Sequence, residues 1–253
     1  PLLKIVHPRP VADDQSVYDF LVYNRTNHTE ATFFKGIKKL QHAHTLTVRN
    51  NSVQVQRWYD LREHIDRERT ITVDEFRENF ISSIGLNLRS DVPVGACLSG
   101  SIDSSSIGST VIKKFILSGL NTFSAVYNLG DKGDESTFLR EYNSLVKNSY
   151  LVKPDADSFL NDMDKFVETL QEPVPGTSAY AEYKVYEMAK SHVTVILNGQ
   201  GTDEEMAGYL YFSGFYYKEL LRKLRLLKLV TEGYHDLRNH RSWQGLQSFI
   251  YFL

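Results

Sequence analysis

Two short stretches of this sequence combine small, hydroxyl and acidic residues in patterns suited to catalysis or ligand binding. The first is Ser99-Gly100-Ser101-Ile102-Asp103-Ser104-Ser105. Small residues let a backbone turn tightly and come close to a ligand. Free N–H groups at the start of a following helix, together with the helix dipole, favour an anion. The hydroxyls of Ser99 and Ser104 add donors. A carboxylate inside an anion-binding loop would be repelled by phosphate unless a cation sat between them, so Asp103 points to Mg²⁺ bridging to a polyphosphate. A serine-rich turn with Asp103 capping a helix explains the same residues without any ligand, and the loop alone leaves both accounts open. The second stretch is Asn198-Gly199-Gln200-Gly201-Thr202-Asp203-Glu204-Glu205-Met206-Ala207-Gly208-Tyr209. It puts Asp203 and Glu204 at a helix start, where the dipole stabilises negative charge and a cation could be shared. Plain complementation of the dipole is the simpler account of those carboxylates.

The strands and helices around these loops are legible from periodicity. Val92-Pro93-Val94-Gly95-Ala96-Cys97-Leu98 reads as a buried strand leading into the first loop, followed by a helix over 104–117. Thr122-Phe123-Ser124-Ala125-Val126-Tyr127 is a second strand, and Tyr150-Leu151-Val152 a short third. His192-Val193-Thr194-Val195-Ile196-Leu197 is the strand before the second loop. Helices are expected over 72–84, 134–146, 158–170 and 179–189, and residues 203–229 should be largely helical. Thr72 and Glu75 stand at the cap and capping-box positions, and Phe76, Phe80, Ile81 and Ile84 form an apolar stripe at helical spacing. Strands alternating with helices predict an α/β fold, with a parallel sheet covered by helices on both faces. Ligands of such sheets bind beyond the carboxyl ends of the strands, which directs attention to the loops after Leu98, Tyr127 and Leu197. Residues 1–70 read differently, as short strands and turns. Thr45-Leu46-Thr47-Val48 and Val53-Gln54-Val55-Gln56 alternate apolar with polar around Asn50-Asn51-Ser52, which predicts a hairpin. Residues 17–23 fit a short helix.

Composition narrows the class of protein. The 253 residues carry 29 Lys+Arg against 31 Asp+Glu, with 42% apolar and 24% charged residues, which excludes a disordered polyelectrolyte or a fibrous repeat. The near-neutral balance argues against a dedicated nucleic-acid binder. One cysteine, Cys97, rules out an internal disulfide framework and a cysteine-based zinc cluster. No apolar run is long enough for a membrane-spanning helix, and the opening residues do not form a signal peptide. A cytoplasmic location is the expectation.

The first loop resembles the Ser-Gly-Gly-x-Asp-Ser pyrophosphate loop of ATP pyrophosphatases, which split ATP into AMP and pyrophosphate. With the second loop, the resemblance becomes one to glutamine-hydrolysing asparagine synthetases and extends over most of the chain. Ser90-Asp91-Val92-Pro93-Val94-Gly95, Thr122-Phe123-Ser124-Ala125, Asp134-Glu135-Ser136, Glu172-Pro173-Val174-Pro175 and Tyr180-Ala181-Glu182-Tyr183-Lys184 are similar to stretches of that family. The second loop is similar to its Gly-Glu/Gln-Gly-x-Asp-Glu stretch, with Gln200 at the Glu/Gln position. His28-Thr29-Glu30-Ala31-Thr32-Phe33-Phe34-Lys35-Gly36-Ile37 and Trp58-Tyr59-Asp60-Leu61 look like the end of its glutaminase domain and the adjoining junction.

The resemblance implies an adenine nucleotide α-hydrolase-like sheet in residues 71–253, preceded by a small β-rich remnant of a glutaminase domain in residues 1–70. It implies that aspartate is activated by ATP as an acyl-adenylate, which ammonia from glutamine then attacks. Ser99, Gly100, Ser101 and Ser104 would hold phosphates. Asp103 and Asp203 would hold Mg²⁺. Cys97, Leu98, Val126, Gly199 and Gln200 would line the nucleotide pocket, and Asp103, Asp203 and Glu204 would serve the chemistry. The expected partners are small molecules, with neither nucleic acid nor membrane among them, and a homodimer is left open. The glutaminase nucleophile and the lysine that stabilises charge at the transferring phosphate are expected outside these residues.

Ser101 stands where that loop has its second glycine. If the position needs a positive φ, a serine there is strained by roughly 1 kcal/mol or more, so a glycine should serve at least as well. Two other readings stay open: an adenylating relative acting on another carboxylate, and a non-catalytic domain with a degraded nucleotide loop.

Smaller features are expected to be structural. His42 and His44 lack a third ligand nearby, and Cys97 fits a core strand. Lys218, Arg222, Lys223, Arg225 and Lys228 alternate with Leu220, Leu221, Leu224 and Leu227, which predicts an amphipathic helix packed on the domain. Tyr209 is the aromatic expected nearest the substrate.

Overall fold

The computed structural model describes residues 2–66, 69–115, 119–127, 139–140, 142, 145–146, 148–240 and 244–252. The chain divides into two compact units, Pro1–Asn79 with Asp155–Tyr183, and Phe80–Pro154 with Lys184–Leu253.

The first unit holds α1 (Leu2–Ile5), α2 (Asp14–Tyr23) and the hairpin β1 (His44–Arg49) and β2 (Ser52–Arg57). Asp13 caps α2 by accepting from the Ser16 amide at 2.9 Å. The hairpin pairs antiparallel, and Asn50 and Asn51 both have positive φ, as a two-residue hairpin turn with right-handed strand twist requires. Helix α3 (Val73–Asn87) starts where the threonine signal placed it, with the Thr72 hydroxyl accepting from the Glu75 amide at 3.1 Å. The reciprocal half of the capping box is replaced by an ion pair between Glu75 and Arg69. Helix α5 (Ala156–Leu170) carries a full capping box between Asp155 and Ser158, and its Phe159 and Phe166 pack edge-on against Tyr180.

The second unit contains the parallel sheet. Strands β3 (Val94–Cys97), β4 (Asn121–Ala125), β5 (Asn148–Val152) and β6 (Val195–Leu197) lie in the order β5-β4-β3-β6, all parallel. The alternation of side chains along the strands sorts them onto two faces. Ala96 packs with Ile84 of α3, Val111 of α4 (Ile102–Phe115) and Leu120 on one face. Phe123 packs with Val185 and Ala189 of α6 (Ser178–Ala189) and with Val193 on the other. Phe123, Ala96, Val111 and Ala189 are fully buried, so the sheet is covered on both sides as the sequence implied.

Two expectations change and a third is mostly outside the described residues. The helix expected over 134–146 lies mostly outside the described residues, where Leu139, Arg140 and Tyr142 are helical. The strand expected from His192 begins at Val195. The long helical stretch after the second loop is broken into α7 (Thr202–Met206), α8 (Tyr211–Arg222) and α9 (Leu226–His240), with α10 (Gln244–Phe252) beyond. The breaks fall at Ala207 and Leu224, both with left-handed backbone. The second break removes Leu224 and Leu227 from the apolar face assigned to them. They are 79% and 88% exposed, while Tyr217 and Leu220 of α8 are buried.

Candidate active site

The strand order decides where a ligand can sit. From β3 the chain passes to β4 and β5 on one side, then returns to place β6 on the other side of β3. Connections leaving neighbouring strands in opposite directions open a crevice at their carboxyl ends. The two loops singled out in the sequence leave β3 and β6 and flank that crevice.

In the first loop, Gly100 makes the turn with φ +98°. Ser101 does not share that conformation, and the strain expected of a serine in a glycine position is therefore absent. The three serine side chains form a closed set. Ser99 Oγ lies 2.9 Å from Ser101 Oγ and 3.0 Å from Ser104 Oγ, and Ser101 Oγ lies 3.2 Å from Ser104 Oγ. The Ser99 amide donates to Ser104 Oγ at 3.1 Å, which draws the strand end toward the first turn of α4. Ser104 is buried, while Ser99 is exposed and Ser101 half-buried. The set is anchored below and accessible above. Asp103 lies in the first turn of α4.

Sheet contacts brace this loop from beneath. The Leu98 amide donates to the Phe123 carbonyl at 3.0 Å, and Ser124 Oγ donates to the Leu98 carbonyl. The Val126 amide donates to the Val152 carbonyl at 2.9 Å, fixing the end of β4 in the same layer. Cys97 is half-buried and packs against the Phe123 cluster, as a small apolar side chain would.

The second loop approaches closely. A Cβ built on Gly199 would lie 3.0 Å from Asp103 Cβ and 3.2 Å from the Ser104 amide nitrogen. Any side chain at this position would make Asp103 and the Ser104 backbone give way by a few tenths of an ångström. Asn198 shapes the turn by accepting from the Gln200 amide at 3.1 Å, and it donates to the Tyr186 hydroxyl at 2.7 Å. Thr202 Oγ1 donates to the Gly199 carbonyl at 2.9 Å. Asp203, Glu204 and Glu205 fill the first turn of α7. The Gly208 amide donates to the Asp203 carbonyl at 2.9 Å and closes the end of that helix. Tyr209 donates to Glu204 Oε1 at 2.9 Å. Hydrogen bonding to that carboxylate, which is lost if the phenol ionises, raises the phenol pKa above its ordinary value.

The site thus brings Ser99, Gly100, Ser101, Asp103, Ser104 and Gly199 together, with Leu98 and Val126 at the strand ends behind them. Ser124 and Tyr186 also brace the two loops. Both act through another residue, on a strand and a helix remote in the chain, and neither carries a local signal. Among the described residues no three His, Cys, Asp or Glu side chains gather into a metal-holding group. His44 Nδ1 lies 2.8 Å from the His42 carbonyl.

A parallel sheet with glycine-rich strand-to-helix loops on both sides of its switch point defines an α/β protein of adenine nucleotide α-hydrolase-like architecture. The asparagine synthase family profile matches residues 75–249, and the chain belongs to that family. It is 30% identical over 208 residues to a Methanocaldococcus jannaschii protein provisionally named asparagine synthetase (glutamine-hydrolyzing) 2, covering 79% of this chain and 39% of that one. It is 36% identical over 147 residues to asparagine synthetase (glutamine-hydrolyzing) 1 of Bacillus subtilis, covering 57% of this chain and 23% of that one. It is 27% identical over 198 residues to amidase chyE of Penicillium rubens, covering 70% and 30%. The chain therefore spans well under half the length of these relatives.

Proposed function

We propose that this chain carries the ATP-consuming part of an amide-forming ligase that converts aspartate to asparagine with ammonia drawn from glutamine. The observation that carries the reading is the contact of the two loops at the switch point, with Gly199 against Asp103. It seats the second loop against Asp103 and the Ser104 amide of the first, which supports a ligand held between the two loops. Residues 71–253 form the ATP-pyrophosphatase domain in this reading, and residues 1–70 the end of a glutaminase domain.

The chemistry has two steps. An oxygen of the aspartate side-chain carboxylate attacks the α-phosphorus of ATP. The bond from that phosphorus to the bridging oxygen breaks, and pyrophosphate leaves. Ammonia then attacks the acyl carbon of the adenylate, AMP departs, and nitrogen gives up a proton. Ser99, Ser104 and the first amides of α4 hold the departing pyrophosphate and offset its charge where it develops. Backbone at Cys97, Leu98, Val126, Gly199 and Gln200 receives the nucleotide, and Glu204 stands near the acyl-adenylate. Asp103 and Asp203 would hold Mg²⁺. Two carboxylates are too few for an all-protein cage and suit an ion that completes its shell with phosphate oxygens and water, and it would neutralise leaving-group charge.

A second reading keeps the adenylation and changes the acid. The similarity to amidase chyE over 70% of the chain favours it, since that relative carries a different name. A non-catalytic domain with a degraded loop loses its main support once Ser101 is seen in ordinary backbone.

The test uses the full-length protein with Mg·ATP and ammonium, measuring AMP and pyrophosphate with and without aspartate. Aspartate-dependent AMP with asparagine as product is the expected result. AMP formed only with another carboxylic acid would move the assignment to the second reading. No AMP with any acid in a broad panel would overturn both.

A further inference from the structure

We infer that the Ser101 hydroxyl is the third donor of a three-hydroxyl clasp that takes one oxygen of the pyrophosphate moiety. This rests on the reading of the Ser99–Ser104 loop as the polyphosphate loop and assigns a role to the residue that departs from the glycine of that motif. The three Oγ atoms form a nearly equilateral triangle with edges of 2.9, 3.0 and 3.2 Å. One oxygen seated over such a triangle is within ordinary O–H···O reach of all three corners. Each hydroxyl has a single proton. Within the ring Ser99 Oγ donates to Ser101 Oγ, and either partner can donate along the other two edges. A phosphate oxygen is charged and is the stronger acceptor, so all three protons turn outward when it arrives. No heavy atom has to move.

Burial supports this direction of access. Ser104 at the base is 4% exposed, whereas Ser99 and Ser101 border the open side. The backbone also permits it, because Gly100 alone takes the positive φ and leaves Ser101 free to hold its side chain over the ring. The ring ties the three hydroxyls to one another, which limits the ordering entropy lost on binding. A glycine at position 101 would leave two hydroxyls and a looser turn. Ser101 is thus a binding residue in its own right, which reverses the expectation that glycine would serve as well.

The test is direct binding by calorimetry to the full-length protein, with Mg·pyrophosphate and, separately, AMP as ligands. Ser101→Ala and Ser101→Gly should each weaken Mg·pyrophosphate by about tenfold, the loss of one hydrogen bond to a charged acceptor. AMP affinity should stay unchanged in both, because AMP lacks the departing group, and Ser101→Thr should bind Mg·pyrophosphate within about twofold of wild type. Wild-type affinity for Mg·pyrophosphate in the alanine and glycine variants would overturn the clasp while leaving the loop assignment intact. An equal loss for AMP would show a merely structural serine and overturn it too. Absence of Mg·pyrophosphate binding by the wild type would sink the loop assignment and the clasp together.

Discussion

The two loops at the switch point use the same device, a parallel strand turning through small residues into a helix, and they arm it oppositely. The loop after β3 presents hydroxyl and amide donors, with a single carboxylate at Asp103. The loop after β6 presents Asp203, Glu204 and Glu205 on a helix of five residues, with its turn held by Asn198 and Thr202. In the proposed reading one side suits an anion and the other a cation. The helix dipole therefore does not decide the ligand. Both helix starts carry the same partial charge, and the side chains placed on them set the chemistry.

The largest effect should come from removing the carboxylate on the donor side. Asp103→Ala should abolish pyrophosphate release, a fall of at least about 100-fold in aspartate-dependent turnover. Turnover near wild type would remove Asp103 from the metal site. A second test pushes the two loops apart without replacing any polar side chain. Gly199→Val places methyl groups where even a Cβ sits 3.0 Å from Asp103 Cβ. Turnover should drop about 100-fold through misplacement alone, and Gly199→Ala should lose less. If Gly199→Val matched wild type in steady-state assays, the contact between the loops would carry no functional weight.

The smallest effect is expected on the acidic side. Tyr209→Phe removes one hydrogen bond to Glu204 and should cost about fivefold or less in turnover. The sign of the pH dependence is set by the raised phenol pKa of the folded state. The contribution of this bond is fully present below the ordinary phenol value of about 10. It is lost as pH rises through the higher folded value. An ultraviolet titration of phenolate should therefore lose one late-ionising group in the phenylalanine variant. If the lost group titrated at the ordinary phenol value instead, Tyr209 would be detached from Glu204.

Much of this arrangement is legible in the order of residues. The alternation of Leu46, Val48, Val53 and Val55 about Asn50-Asn51 predicts the hairpin, because strand period and turn chemistry are local. The period change at Thr72 predicts α3 for the same reason. The loop residues are recognisable because small residues, hydroxyls and carboxylates announce chemistry by type. The long stretch after Asp203 reads less well. Leu224 and Leu227 sit at helical spacing on paper, but the left-handed backbone at Leu224 resets the phase. No Gly or Pro marks that break, so nothing local distinguishes it from continuous helix.

Local preference was thus enough to define the parts: the strands, the two loops and the residues that could bind phosphate or metal. It did not bring the parts together; the packed fold does that. The pairing of β3 with β6 links segments far apart in the chain, and strand order is a matter of which hydrogen-bond ladders close, not of local preference. The same holds for Ser101. Its type and position were visible in the sequence, but its φ and the partners of its hydroxyl depend on how Gly100 turns and how deeply Ser104 is buried. A side chain that looked like a defect in a glycine-rich motif joins a ring of hydroxyls because the fold puts two others within 3.2 Å of it.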